Sequence, residues 1–167
     1  MPDVIKKQGI IFREEMFLSD LKMIREIIES SQVFSPQEVE IALDLASEQL
    51  SKGISSGYHF LFADQSDHTV GFTCFGPIPG TEGSFDLYWI AVHKECQGLG
   101  HGKKLLERTE SLIKAMGGTR IYIETSSRNT YEGTRLFYLH MGYGEEAVLK
   151  DFYSPGDAKV IYVKKMK

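Results

Sequence analysis

The sequence predicts a single α/β domain over residues 1–167, with a mixed central β-sheet flanked by helices. Three observations carry that expectation. The apolar period changes from helical to strand-like near Tyr58. A nearly continuous apolar run over residues 85–92 is followed by a glycine-rich turn and an amphipathic helix. A further strand then completes a βαβ unit, whose crossover makes its two strands parallel.

Taken in order, Ile10, Ile11 and Phe12 suit a short opening strand. Leu21, Ile24, Ile27 and Ile28 recur at helical spacing behind Ser19, an expected N-cap. Ser35-Pro36-Gln37-Glu38 is a capping box with proline at the first helical position, and Val39, Leu43, Ala46 and Leu50 follow on one face until Gly53. Strands over 58–63 and 70–75, joined by the polar residues 64–67, form an antiparallel hairpin. The run 85–92 reads as a central strand covered on both faces. Leu105, Leu106, Thr109, Leu112, Ile113 and Met116 then form one face of a helix ending at Gly117-Gly118. A strand over 121–125, a short helix over about 131–141 and a hairpin of 148–153 with 159–163 complete the chain.

Composition narrows the function. With 42% hydrophobic and 11% aromatic residues among 167, the chain buries a sizeable core and is not mainly disordered. Its 19 Lys+Arg against 23 Asp+Glu give −4, so there is no global attraction to nucleic acid or anionic lipid. No apolar run reaches the ~18 residues that span a bilayer, and residues 1–7 lack the apolar core of a secretory signal. A cytoplasmic location is the expectation. Cys74 and Cys96 are far apart without a CxxC, which suits free thiols. His59, His68, His93, His101 and His140 have no metal-ligand spacing, so no metal is expected.

The segment from Val92 to Lys103 carries the chemistry. Gly98, Gly100 and Gly102 alternate where a strand feeds a helix, and a helix N-terminus offers unpaired N–H groups and a positive dipole end to an anion. A phosphate-bearing ligand is expected there. The P-loop pattern fails because Gln97 and Lys104 stand where Gly and Ser or Thr are needed, and a GxGxxG started at Gly98 ends on Lys103.

The segment Gln97 to Gly102 resembles the [Q/R]-x-x-G-x-[G/A] turn of the GNAT superfamily of acetyl-CoA-dependent N-acetyltransferases, preceded as in that family by a strand ending in Ala-Val. The order of elements is similar over most of the chain. The resemblance implies that Gln97, Gly98, Gly100, Gly102 and Lys103 hold the coenzyme A pyrophosphate, and that the backbone of Ile90, Ala91 and Val92 pairs with the pantetheine arm. The family's Tyr-x-x-x-Gly-[Phe/Tyr] falls on Tyr138, Gly142 and Tyr143. Many members carry Asn seven residues before that tyrosine; here Tyr131 stands there and Asn129 is two places early.

The expected reaction is transfer of acetyl from acetyl-CoA directly to a primary amine of a small molecule or peptide. An alkylammonium must first lose a proton. Period-2 alternation puts Asp86, Tyr88 and Ile90 on one face, which makes Asp86 a candidate base acting through water, with Glu124 on the next strand its rival. Tyr138 is the candidate acid for the leaving thiolate. Cys96 lacks a placed His or Asn partner and reads as a small turn residue. Glu82, Asp86 and Tyr88 favour a cationic or aromatic amine as acceptor. A non-catalytic acyl-CoA-binding regulatory module is the alternative. Oligomeric state is open, a homodimer included.

Overall fold

A computed structural model describes residues 9–167, so the residues read above for a secretory signal lie outside the described part. Seven strands form one sheet in the order β1-β2-β3-β4-β5-β7-β6. They are β1 (Ile11–Arg13), β2 (His59–Gln65), β3 (His68–Pro77), β4 (Ser84–Val92), β5 (Arg120–Ser126), β6 (Gly144–Ser154) and β7 (Asp157–Lys165). The helices are α1 (Asp20–Ser30), α2 (Pro36–Lys52), α3 (His101–Ala115) and α4 (Glu132–His140). Every pairing is antiparallel except β4 with β5, as the βαβ reading requires.

Two apolar clusters sandwich the sheet. Ile24, Ile27 and Ile28 of α1 and Val39, Ala42 and Ala46 of α2 pack on Phe60, Phe62 and Phe72. On the opposite face, Leu105, Leu106 and Ile113 of α3 join Leu61, Phe75, Phe85, Ile121 and Ile123. The fit of α3 is close because Gly71 has no side chain, since a Cβ there would stand 2.9 Å from the Leu105 Cδ1. Thr73 and Thr109 bond across the same interface at 2.8 Å, pairing two buried hydroxyls.

Several boundaries move for identifiable reasons. The Ser35–Glu38 capping box forms reciprocally as expected. Ser19 makes no side-chain cap; instead the buried Asp20 accepts from the Phe17 N–H at 2.7 Å and pairs with Arg13 at 2.8 Å. The first hairpin is tighter than read, because Ser66 and Asp67 both adopt positive φ and let the strands run on through Gln65 and His68. Met116 stands at the α3 C-cap and is exposed.

The most consequential departures concern β4. It is central in the sheet, yet it pairs with β5 only through Ser84, Phe85 and Asp86. From there the strands part, leaving Tyr88 exposed and residues 89–92 half-buried instead of covered. The register also shifts: Leu87 faces Phe75 while Trp89 faces the adjacent Cys74, so Tyr88 is a bulge. Across it the faces exchange. Leu87 and Ile90 pack with the α3 cluster, and Trp89 and Ala91 with the α1/α2 cluster. Asp86 therefore does not share a face with Ile90, as strict alternation predicts, because the extra residue reverses the alternation.

Candidate active site

Beyond Asp86 the parted strands open a cleft of about 600 Å³ between the end of β4, the turn into α3, the end of α1 and α4. Its walls include Ile27, Phe34, Ile90 and Phe137, and its floor at one end is the glycine turn. Ile90, Ala91 and Val92 line it along an edge of β4 that has no strand partner on the β5 side. Unpaired strand backbone is what an extended amide-bearing arm can pair with.

The turn has the form that an anion site requires. Gly98 and Gly100 have φ of 75° and 80°, and a Cβ at either would meet nothing within 4 Å, so ligand atoms can approach the backbone. Gly100 is the N-cap of α3 and no side chain caps it, so the first helical bond is Lys104 N–H to the Gly100 carbonyl at 3.1 Å. The preceding N–H groups lack an intrahelical acceptor and belong to residues that line the cleft, with the helix dipole behind them. Gly102 is inside the helix, 3.7 Å by its Cβ direction from the Phe137 ring. Lys103 lines the cleft but leans 3.9 Å from Glu107, an exposed pair of little energy. Gln97 does a different job from direct anion binding: its Nε2 donates to the Val92 carbonyl at 3.0 Å and fastens the turn to β4. Cys96 is buried in the α3-side core and also lines the cleft. These residues fit a coenzyme that is anionic at one end and amide-bearing at the other.

Asp86 sits where the strands part, half-buried, on the face turned away from α3. Burial first, and then Glu124, push its carboxyl up to about 6, with Lys159 opposing. Glu124 is exposed and its Oε2 is 2.7 Å from the Lys159 Nζ, so this second acidic candidate is ion-paired. Tyr88, raised to about 12 by burial and by Asp86, stacks edge-on against Tyr58 at 5.4 Å.

Tyr138 is not among the residues that line the cleft. Its ring is 5% exposed in the core, about 6.0 Å from both Tyr143 and Tyr162, and burial drives its hydroxyl above the usual range. The cleft wall is made by Thr130, Gly133, Thr134 and Phe137, one stripe at helical spacing, and Tyr138 lies one step past that stripe. Sequence reasoning also missed Phe34, which lines the cleft 5.0 Å from Trp89 and edge-on to Tyr131 at 5.9 Å. The spacing of 130, 133, 134 and 137 was the available signal.

Residues 56–145 match the family model described as an acetyltransferase (GNAT) domain, more than half of the chain. An uncharacterized N-acetyltransferase of Methanocaldococcus jannaschii is 32% identical over 83 residues, covering 50% of this chain and 53% of that relative. The chain thus spans about half the length of the curated relative it matches. A crystal structure from Desulfovibrio desulfuricans, described as an acetyltransferase of the GNAT family, is 40% identical with a TM-score of 0.90, covering 94% of this chain and 99% of that one. The PaiA N-acetyltransferase of Thermoplasma acidophilum, solved in complex with coenzyme A, shares the fold at 20% identity and TM-score 0.73, over 95% and 99% of the chains. With the parted β4–β5 pair and the uncapped glycine turn, these matches establish that the chain belongs to the GNAT acetyltransferase family.

Proposed function

We propose that this chain, folded as one domain, transfers an acetyl group from acetyl-CoA directly to a primary amine of a small molecule or peptide. The observation that carries the reading is the continuity of the unpaired β4 edge with the open N-terminus of α3. In this reading the backbone of Gly98, Gly100, Gly102 and Lys103 holds the diphosphate, and Ile90, Ala91 and Val92 hold the pantetheine arm beside Phe137. Bound acetyl-CoA supplies an activated acetyl thioester.

The remaining work falls to the chain. Asp86, with its carboxyl at about 6, is ionised at neutral pH and still basic enough to take an ammonium proton through water. Glu124 is the weaker candidate because Lys159 already neutralises it. The bulge at Tyr88 leaves backbone polar groups without ladder partners beside the point where the strands part, a source of donors for a carbonyl oxygen gaining charge. Tyr138 has no part in this scheme, and the departing thiolate takes its proton from solvent.

Release of free coenzyme A from acetyl-CoA, measured across polyamines, aminoglycosides, amino acids and N-terminal peptides, tests the proposal. Amine-dependent release supports it. Tight acetyl-CoA binding without release for any amine points instead to the regulatory-module alternative.

A further inference from the structure

β6 is the longest strand of the sheet and forms one of its two edges. The other edge, β1, is three residues long, and shortness is one way a fold guards an edge. β6 has no such guard. All of its eleven residues except Ala147 are exposed, and its outer side has no strand partner among the described residues. Part of its apolar surface is used within the hairpin, where the Phe152 ring lies 3.8 Å from the Lys159 Nζ. Val148 and Leu149, at the centre of the strand, stay exposed. A long unpaired edge with apolar residues at its centre is a template for another strand.

The order of charges specifies that strand. Val148 pairs with Val160, a member of the α3-side cluster. Glu146 is the extra residue of a bulge against β7, and Lys150 lies just past the last regular rung, so neither has a partner in that ladder. Neither makes an ion pair among the described residues. Alternation counted outward from Val148 puts both on its face. The stripe therefore reads acid, apolar, base, a pattern complementary to itself when turned end for end. With a two-fold axis at Val148, Glu146 of each copy stands opposite Lys150 of the other, and Ala147 opposite Leu149. An axis at Ala147 or Leu149 loses both ion pairs, and parallel pairing in register sets like charges together. The same axis puts Glu145 across from Asp151. Asp151, however, has φ of 54° and its Oδ1 accepts from the Gly156 N–H at 2.7 Å, which turns that carboxylate back into its own hairpin.

We propose that β6 is the interface of a homodimer in which two copies pair antiparallel about Val148, joining their sheets edge to edge. Glu146 of each copy bonds to Lys150 of the other, so the contact is isologous and its two ion pairs fix the register. Val148 meets its own copy on that face, and Ala147 and Leu149 cover each other on the opposite one. No residue of β6 lines the cleft, so the interface is independent of what the cleft binds.

Sedimentation equilibrium of wild type, Glu146→Lys, Lys150→Glu, the double reversal and Val148→Asp tests this, with Tm recorded for each. Wild type should sediment at twice the chain mass. Each single reversal replaces two attractive contacts by two repulsive ones and should raise the dimer Kd by about tenfold, and the double reversal should restore it. Val148→Asp sets two carboxylates together on the axis and should give a folded monomer; the surface reversals carry the test should that variant misfold. The β6 amides that point away from β7 should exchange hydrogen more slowly in the dimer than in the monomer. A monomeric wild type at the highest attainable concentration overturns the proposal. So does a dimer whose Kd is indifferent to the single reversals and to Val148→Asp. A dimer weakened by the single reversals and not restored by the double overturns the register about Val148.

Discussion

Asp86 stands opposite Tyr122 in the last rung of the parallel ladder between β4 and β5, and beyond that rung the two strands part. Asp86 is half-buried at that point, and the cleft lining begins at Ile90 further along β4. Burial there and the neighbouring Glu124 raise its affinity for a proton, which is what the proposed role of a base at neutral pH requires.

The first consequence is a pH profile. The acidic limb of kcat/KM should follow a group at about 6, and Asp86→Asn should remove that limb and lower the rate by about 10²-fold at neutral pH. Stability should move the other way. A carboxyl whose folded value lies above its unfolded one binds more protons when folded, so it costs stability as pH rises from about 4 to 6. Thermal unfolding at pH 7 should therefore find Asp86→Asn no less stable than wild type.

Glu124 and Lys159 should tune that limb in opposite senses. Glu124→Gln deletes a negative charge that raises Asp86 and frees the Lys159 ammonium that lowers it, so the limb should move to lower pH with activity retained. Lys159→Met should move it to higher pH. A collapse of kcat in Glu124→Gln alongside a wild-type profile for Asp86→Asn would transfer the base to Glu124.

Gly100→Glu should abolish acetyl-CoA binding by setting an anion against the open helix end. Because Gly100 has φ of 80°, any side chain there also costs about 1 kcal/mol of strain. Gly100→Ala isolates that cost and should retain most of the affinity. Calorimetry on the pair, with Tm for both, separates repulsion from strain.

What the sequence revealed and what it hid follow from range of interaction. The Ser35–Glu38 capping box and the turn at Gly98 and Gly100 are local devices, set by residues within one or two turns of chain, and each was readable. The bulge at Tyr88 was not, because it arises from register against β3 and exchanges the faces of β4 only once Phe75 and Cys74 are in place. Nor was the shortness of the β4–β5 ladder, which made an apolar run look fully covered when its second half faces a cleft. The motif spacing singles out Tyr138, while the packing of α4 sets its ring beside Tyr143 and Tyr162 and presents Phe137, one residue earlier, to the cleft.

Tyr138→Phe accordingly becomes a sharp test. Phenylalanine keeps the ring and its packing on Tyr143 and Tyr162. kcat, acetyl-CoA affinity and Tm should all stay close to wild type. A fall of about 10²-fold in kcat alone would return the hydroxyl to the chemistry and require α4 to turn when the coenzyme binds.

Direct transfer is the central claim, and initial velocities measured while acetyl-CoA and an accepted amine are both varied test it most directly. Two ligands bound together, one along β4 and one at Asp86, give double-reciprocal lines that intersect, with no acetyl group left on the protein after acetyl-CoA alone. Parallel lines, with one acetyl retained on the buried Cys96 that lines the cleft, would contradict the account and make the turn cysteine the nucleophile of a two-step route.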